Sequence, residues 1–159
     1  VEILESQIPI RIRRYGLVSD SGGPGRYRGG LAQEREWEIL ADEATVTWRS
    51  DRRKYPPYGL ADGHPGRGSR SVLNPDKQAE LLPTKINTKL RKGDIFLHQN
   101  AGGGGYGSPM DREQERVWWD WRNGKVTTRH AKEVYGVVID EQTGQINEIE
   151  TDKLRSNPN

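Results

Sequence analysis

The chain has 159 residues, the length of one ordinary domain, and its formal net charge is only +2. No apolar stretch approaches the roughly 18 residues of a membrane-spanning helix, and no basic-then-apolar start suggests a signal peptide, so we expect no membrane association. The absence of cysteine excludes disulfides, thiolate catalysis and cysteine metal sites, and it favours a reducing, cytoplasmic location. The basic residues form no block, which argues against a nucleic-acid partner.

The chain is poor in apolar residues but rich in large aromatic ones. Hydrophobic residues make up 31% of the sequence and charged residues 30%, yet there are five Trp and six Tyr. Disordered chains rarely carry so many rings, and Tyr and Trp are common where two proteins meet. We therefore expect a subunit or fragment that is completed by contact with another protein, within a hetero-oligomer.

Alternating apolar residues and glycine-rich turns predict strands in the first two thirds of the chain. A first strand is expected over 8–14. Residues 51–69 contain three prolines and four glycines and are predicted to form an irregular connection. One β-hairpin is expected before this connection, in which 33–40 pair with 44–49. A second is expected after it, in which 84–90 pair with 94–98.

Two short helices are predicted in the last third of the chain. Ser108 followed by Pro109 matches a helix start, and the apolar stripe that follows ends at Asn123–Gly124. A second helix begins at Thr127 or Thr128 and ends at Gly136. The sequence thus predicts one α+β segment, docked on a larger subunit, with strands and long Gly/Pro loops in 1–107, helices in 108–136, and a small β ribbon and tail in 137–159.

The sharpest local feature is a glycine run between a predicted strand and a predicted helix: Gly102, Gly103, Gly104 and Gly105. Successive N–H groups without Cβ atoms can form an anion-binding nest, so the run is a candidate substrate or anion loop. The alternative, which we favour, is a tight crossing where another backbone packs closely. No Gly-Lys-Ser/Thr sequence follows, which excludes a P-loop.

Two loops and one helix position combine arginine with aromatic residues, a composition typical of protein contacts. The arginines of the glycine-rich stretch 22–30 can pair with a carboxylate or phosphate of a ligand or, as we prefer, with a neighbouring protein. The stretch 51–58 interleaves charge, proline and tyrosine, and one tryptophan falls off the apolar stripe of its helix. The predicted interface residues are Arg26, Arg28, Arg52, Arg53, Tyr55, Tyr58 and Trp119.

The three histidines, His64, His98 and His130, lie far apart in the sequence, and none has a partner at metalloprotease spacing. A metal site needs three or four converging ligands. Each histidine is therefore expected to be solvated or hydrogen-bonded, and the chain alone is expected to bind no metal. No catalytic residue follows from the sequence.

Three blocks in fixed order resemble the C-terminal part of the hydantoinase B/oxoprolinase family. The resemblance extends over most of the chain, roughly residues 8–140, and three ordered blocks are far more specific than any single glycine run. The blocks are Asp20–Leu31, then Arg52–Leu60 with Val72–Pro75, then Ala101–Pro109, which continues through Glu115–Val117 to Ala131–Val138.

The resemblance implies a component of a multi-subunit, ATP-dependent enzyme. A hydantoinase A-type subunit handles the nucleotide in such systems, and the B-type chain contributes to the site where a cyclic amide (hydantoin, 5-oxoproline or another lactam) is opened. Related pairs carboxylate ketones such as acetone or acetophenone, and phosphorylated intermediates serve both reactions. A purely structural assembly subunit is a third possibility. The residues of this chain do not separate the three.

The resemblance also implies that much of the protein lies elsewhere. Family members are several times longer, and their His/Asp metal motifs lie in an N-terminal portion that has no counterpart here. We therefore expect a B-type polypeptide that is split into two chains or represented by a part, and we assign no metal ligand or catalytic residue. ATP and a divalent metal are expected in the whole complex, with a larger hydantoinase B-type chain and a hydantoinase A-type subunit as partners.

Overall fold

The computed structural model describes residues 2–156, and within them it has the α+β class that the sequence predicts. None of the helices in this range has the length and apolar character needed to span a bilayer. In chain order the elements are α1 (Glu2–Gln7), β1 (Ile10–Leu17), β2 (Gln33–Ile39), β3 (Glu43–Arg49), β4 (Arg70–Leu73), β5 (Glu80–Leu81), β6 (Lys85–Arg91), β7 (Ile95–Gln99), a short 3₁₀ turn (Pro109–Asp111), α2 (Gln114–Arg122), α3 (Thr128–Tyr135), β8 (Ile139–Asp140), β9 (Gln145–Ile146) and α4 (Glu148–Ser156).

The strands form one long bent ribbon to which shorter strands are added. β2 pairs with β7 and β3 pairs with β6, both antiparallel, and the two pairings meet at one corner. β1 adds to one side of the β2–β7 half, and β4 and β5 add to the other, which gives a five-stranded antiparallel sheet in the order β1-β2-β7-β4-β5. The ribbon therefore places the ends of β3 and β7 beside the irregular segments that contain most of the glycines.

The corner of the ribbon shows that the two predicted hairpins are wrong. β2 does not pair with β3, and β6 does not pair with β7. Gly93 has a φ of 84° and donates its N–H to the Ile39 carbonyl at 2.8 Å, while the Ile39 N–H donates to the Asp94 carbonyl at 2.9 Å. The segment around Gly93 is thus a bend within a continuing ribbon. A glycine with positive φ suits both a bend and a hairpin turn, so the sequence pattern did not distinguish them.

The core of the ribbon is aromatic. Trp37 of β2 lies opposite Phe96 of β7, and their rings stack with centroids 5.4 Å apart. Trp48 of β3 meets both rings at 5.3–5.5 Å in edge-on geometry. Such pairs add to the free energy of apolar burial. Trp37 and Trp48 thus pack against the core of the ribbon, and Trp118 and Trp121 pack against a second core around α2 and α3, so four of the five tryptophans are used inside the chain.

Of the two predicted helices, α3 is confirmed, whereas α2 is shorter than predicted. Ser108 caps only the 3₁₀ turn, accepting a hydrogen bond from the Met110 N–H at 3.3 Å. The backbone at Arg112 is extended, so α2 begins only at Gln114. Helix α3 begins and ends as predicted, with the Thr127 hydroxyl as its N-terminal cap and Gly136, at a φ of 63°, as its C-terminal cap.

The predicted β ribbon at the end of the chain is present but shorter than expected, and a helix takes the place of the predicted tail. β8 and β9 share only two residue pairs, and 148–156 form helix α4. Asn147 begins the helix, since its side-chain oxygen accepts from the Glu150 N–H at 3.1 Å. Acidic residues in the first turn and basic residues in the last turn also suit the helix dipole. The apolar pair Ile146 and Ile149 suggested a strand, and these capping signals outweigh it.

Candidate functional site

Three irregular segments, 21–30, 57–67 and 101–107, lie side by side and are joined by backbone hydrogen bonds. We call them the glycine bundle. The Gly23 N–H donates to the Gly103 carbonyl at 2.7 Å, and the Gly103 N–H donates to the Gly30 carbonyl at 2.8 Å. The Gly105 N–H donates to the His64 carbonyl at 2.9 Å, which ties in the third segment. These hydrogen bonds join the three segments without forming regular strands.

Steric contact explains why the run 102–105 consists of glycine. A Cβ atom at Gly102 would lie 1.8 Å from the Ser21 carbonyl oxygen, and one at Gly104 would lie 1.8 Å from the Tyr58 carbonyl oxygen. The N–H groups of Gly102, Gly103 and Gly105 are all paired with backbone carbonyls, so they are not free to form an anion nest. Within residues 2–156, the N–H of Gly104 alone of the four makes no hydrogen bond. Packing thus accounts for the run, and its role as a substrate or anion loop stays a prediction.

A buried carboxylate fastens the glycine bundle to helix α2. Asp120 accepts from Arg28 Nε at 2.9 Å and Nη2 at 3.2 Å, and from Arg112 Nη2 at 2.8 Å. Burial opposes the ionisation of Asp120, but the hydrogen bonds and charges of the two arginines outweigh it and lower the pKa of Asp120. Arg112 also donates to the Arg26 carbonyl at 2.9 Å. This cluster holds the first segment of the bundle against the helical part.

The same cluster changes the expectation for Arg28. Its side chain is half-buried and its guanidinium is paired with Asp120 inside the chain, so a contact of Arg28 with a partner stays a prediction. Arg53 is half-buried and donates to the Leu82 carbonyl. The other predicted interface residues lie on the surface: Arg26, Arg52, Tyr55, Tyr58 and Trp119, with exposed fractions of 71%, 72% and 57% for the three aromatic residues.

The structure adds three exposed residues at one end of the glycine bundle that sequence reasoning missed. Tyr27 and Tyr106 form an isolated antiparallel bridge with ring centroids 6.3 Å apart, and Leu60 bridges to Tyr106 from the third segment. All three side chains are more than half exposed. The signal in the sequence is an aromatic residue between glycines, but only the bundle brings the three together.

A cleft of about 420 Å³ opens beside the bundle, between the end of β3 and the end of β7. Residues 48–52 form one wall, and His98, Asn100 and the first glycines of the run, Gly102 and Gly103, form the other. A second cleft of similar size lies between His64 and α3, but none of its lining residues has a buried polar atom without a partner. The cleft beside Gly102 is therefore the better candidate for a binding site.

His98 orders the inner wall of this cleft. It is 5% exposed, its Nδ1 lies 3.0 Å from Ser71 Oγ, and its Nε2 lies 2.8 Å from Asn100 Oδ1. Because an amide oxygen only accepts, Nε2 carries the proton and Nδ1 accepts from the serine hydroxyl. Burial lowers the pKa of His98, which favours the neutral ring. The histidine is thus hydrogen-bonded within the chain, as expected, and it fixes the orientation of the Asn100 amide.

No metal centre is built by the residues that the structure describes. Within 2–156, no three side chains of His, Asp or Glu converge on a point where they could share a metal ion. The three histidines are also distributed over the glycine bundle, β7 and α3. The chemistry of the candidate site rests on hydrogen-bond donors and on arginine.

The chain is similar in sequence to known proteins of one family. Residues 1–109 match a family model whose description is hydantoinase B/oxoprolinase. The chain is 36% identical over 167 residues to the caprolactamase subunit beta of Pseudomonas jessenii, a match that covers 98% of this chain and 28% of the relative. The chain thus spans little more than a quarter of the length of this relative.

Two solved structures have the same fold. The crystal structure of the ATP-dependent caprolactamase from Pseudomonas jessenii matches with a TM-score of 0.84 and 32% identity, over 99% of this chain and 28% of the other. The nucleotide-free structure of acetone carboxylase, from work on ATP-dependent acetone carboxylation, matches with a TM-score of 0.81 and 26% identity, over 98% of this chain and 25% of the other.

Proposed function

The chain belongs to the hydantoinase B/oxoprolinase family, and from this premise we propose that it is part of a multi-subunit, ATP-dependent enzyme that opens cyclic amides. The substrate class is a hydantoin, 5-oxoproline or another lactam. ATP phosphorylates the amide oxygen and leaves as ADP, water adds to the activated carbon, and cleavage of the C–N bond gives an acyl phosphate. A second water hydrolyses the acyl phosphate to the open-chain carboxylate and phosphate. The observation that carries the proposal is the 36% identity to a caprolactamase subunit along 98% of this chain.

The proposed partners are a larger hydantoinase B-type portion and a hydantoinase A-type subunit that handles ATP. This part of the proposal is supported by the fraction of its relatives that the chain covers and by its exposed aromatic residues. Tyr and Trp in contact with a partner bury large areas at little entropic cost. The proposed contact residues are Arg26, Arg52, Tyr55, Tyr58 and Trp119.

ATP and a divalent metal are proposed to bind elsewhere in the complex. The residues described here offer no group of ligands for a metal ion, so no step is assigned through one to this chain. We propose that this chain contributes one rigid wall of the shared active site. The glycine bundle and the Asp120 cluster hold Gly102 and Gly103 in a fixed position beside the cleft, and we propose that this edge faces the shared active site.

A ketone carboxylase subunit of the same family is the second candidate. The likeness to the acetone carboxylase structure supports it, but identity is lower there, 26% against 32% for the caprolactamase structure. A purely structural assembly subunit is the third. It differs from both in that no change in the cleft beside Gly102 would alter turnover of the complex.

The test is ADP formation by the purified complex that contains this chain. We expect turnover to depend on a cyclic amide, offered as caprolactam, hydantoin or 5-oxoproline, and not on acetone with bicarbonate. The open-chain product should form in a one-to-one ratio with ADP. Turnover with acetone and bicarbonate alone would contradict the proposal and support the carboxylase.

A further inference from the structure

One end of the β3–β6 pairing places two cations directly opposite each other. Arg49 is the last residue of β3 and Lys85 is the first of β6, and the antiparallel register pairs them. The side chains of such a pair leave the sheet on the same face, with Cβ atoms about 5 Å apart. Like charges in this position repel each other and destabilise the pairing of the strands. The register therefore brings together two cations that lie far apart in the sequence.

Neither cation is compensated by the residues that the structure describes. Both side chains are exposed, and within residues 2–156 neither makes an ion pair. The other end of the same face is compensated, since Glu43 accepts from Lys89 at 2.8 Å and lies opposite Arg91. The charge imbalance is thus confined to the end formed by Arg49 and Lys85.

The surface around the two cations adds positive charge and neutral polar groups. A groove of about 290 Å³ lies at this end of the strands, and Thr47 and Asn87 line it beside the two cations. The exposed charged residues just beyond β3 are Asp51, Arg52 and Lys54, of which two are basic. A carboxylate that enters the groove therefore meets an excess of positive charge and neighbours that can hydrogen-bond to it.

Protection of an open sheet edge does not explain this pair. β3 and β6 form a two-stranded sheet, so each strand has an unpaired edge, and exposed lysines discourage unwanted strand pairing at such edges. A single lysine is enough for that purpose, and Lys89 shows that a lysine of this strand can be balanced by a carboxylate. A second cation opposite Lys85 adds only repulsion, unless a negative charge from elsewhere lies between the two.

The number and surroundings of these charges favour an acidic protein segment over a nucleic acid. Proteins that bind nucleic acids by charge neutralise several phosphates at once, whereas two opposed cations match one or two carboxylates. The neighbours on this face are Thr45, Thr47 and Asn87, which offer no ring on which a base could stack. The segment 51–58, which contains three of the proposed partner contacts, begins two residues after β3, so the groove continues the proposed contact surface.

We propose that the groove between Arg49 and Lys85 binds an acidic segment of the larger hydantoinase B-type portion, with an Asp or Glu carboxylate between the two cations. The inference rests on the proposed function for the identity of the occupant. The B-type portion is chosen because the caprolactamase subunit holds the counterpart of this chain and a much longer remainder in one polypeptide. A carboxylate in this position replaces the repulsion between the strands by two attractions.

Carbodiimide crosslinking of the proposed complex tests this contact, because the reagent joins a lysine amine to a carboxylate that touches it and adds no spacer. Mass spectrometry of the digested product identifies both residues. We expect Lys85 to be joined to an Asp or Glu of the B-type portion, outside these 159 residues. Lys89 is the internal control, and it should be joined to Glu43 of the same chain, 2.8 Å away. The yield at Lys85 should fall at high salt, because ions screen exposed charges.

The matched variants are Arg49→Gln and Arg91→Gln, each of which removes one exposed arginine from the same face. Arg49→Gln should lower the yield of the Lys85 crosslink about three-fold, because one of the two charges that hold the carboxylate is lost. Arg91→Gln changes the compensated end and should leave this yield unchanged. Lys85→Gln gives a readout of the fold. The unfolding temperature of the chain should not fall, because the substitution removes a repulsion.

The proposal is overturned if Lys85 forms no crosslink while Lys89 does, or if Lys85 is joined to a carboxylate of this chain or of the hydantoinase A-type subunit. It is also overturned if Arg91→Gln lowers the yield as much as Arg49→Gln does. Binding of poly(U) RNA that Lys85→Gln abolishes, without any Lys85 crosslink, would identify a nucleic-acid surface instead. A clear fall in the unfolding temperature of Lys85→Gln would contradict the repulsion on which the proposal rests.

The crosslink needs no turnover, so it separates this inference from the proposed function. A complex in which Lys85 is joined to the B-type portion but which never opens a cyclic amide would contradict the proposed reaction alone. A complex that opens cyclic amides but gives no Lys85 crosslink would contradict the acidic contact alone.

Discussion

Gly104 shows at the scale of one residue how closely the segments of the glycine bundle approach one another. Its missing Cβ atom would lie 1.8 Å from the Tyr58 carbonyl oxygen, so the two backbones must separate when any side chain is added. We expect Gly104→Ala to lower the free energy of unfolding by about 2 kcal/mol or more, by overpacking. Denaturant unfolding of the purified protein measures this.

The control for this prediction is Gly30→Ala in the same bundle. A Cβ atom at Gly30 would meet nothing within 4 Å, so the change should stay within about 0.5 kcal/mol of the original stability. Equal effects of the two substitutions would contradict the packing explanation of the glycine run.

The charge of Asp120 is compensated inside the fold by two arginines. It compensates the buried guanidinium groups of Arg28 and Arg112, and removing one partner of a buried ion pair leaves the other uncompensated. We expect Asp120→Ala to cost about 3–5 kcal/mol of unfolding free energy. The exposed pair Glu113–Arg116 is the control, and Glu113→Gln should leave the free energy of unfolding almost unchanged, because solvent screens this pair. A small effect at Asp120 would mean that the cluster is not what fastens the bundle to α2.

Because the pKa of Asp120 is lowered in the folded protein, the free energy of unfolding depends on pH. A carboxyl group whose pKa is lower in the folded state stabilises the protein above its unfolded value, near 4, and this contribution is lost as the pH falls through the folded value. The denaturant concentration at the unfolding midpoint of the unchanged protein should therefore fall when the pH is lowered below about 4. Asp120→Ala should show less of this drop, and an identical pH profile would contradict the role of the charge.

The candidate site could be read from the sequence only in part at the residue scale. The glycine run stood out because so many adjacent glycines are unusual, and both its packing and its ligand interpretations followed. The pairing of Arg28 with Asp120 did not, because 92 residues separate them and no local pattern joins them. The same holds for His98 and Ser71, which adjacent strands bring together.

At the scale of elements, the sequence located strands better than it paired them. Alternation in each segment marks a strand, but β2 can be joined to β3 or to β7 without changing which of its residues are apolar. The partner is set by the aromatic core of Trp37, Trp48 and Phe96, which only a bent ribbon assembles. Helix α3 was predictable because its caps, Thr127 and Gly136, are local signals.

Thr127 joins helix α3 to Asp20, the residue that precedes the first segment of the glycine bundle. Its hydroxyl accepts from the His130 N–H at 3.2 Å and donates to Asp20 Oδ2 at 2.7 Å, while its N–H donates to Asp20 Oδ1 at 2.8 Å. We expect Thr127→Ala to cost about 1–2 kcal/mol of unfolding free energy, because it removes the cap and one contact to Asp20. Thr127→Ser keeps the hydroxyl and should cost clearly less. Equal losses, measured by thermal unfolding, would show that the methyl group and not the cap is responsible.

At the scale of the whole molecule, the chain has two cores and a surface that neither of them covers. One core lies in the ribbon and the other around α2 and α3. Between them the glycine bundle provides backbone contacts but little apolar burial, and Tyr55, Tyr58 and Trp119 remain exposed. The chain spans about a quarter of the length of its relatives, and the proposed partners are expected to cover this surface.

Hydroxyl-radical footprinting of the proposed complex, assembled with its partners, tests this central claim most directly. The modification rates of Tyr55, Tyr58 and Trp119 are compared with those of the same residues in the urea-unfolded protein, and with fully buried Tyr135 as the internal lower limit. We predict that all three exposed residues react in the complex at rates close to that of Tyr135, because a partner covers them. Rates close to those of the unfolded protein would contradict the account.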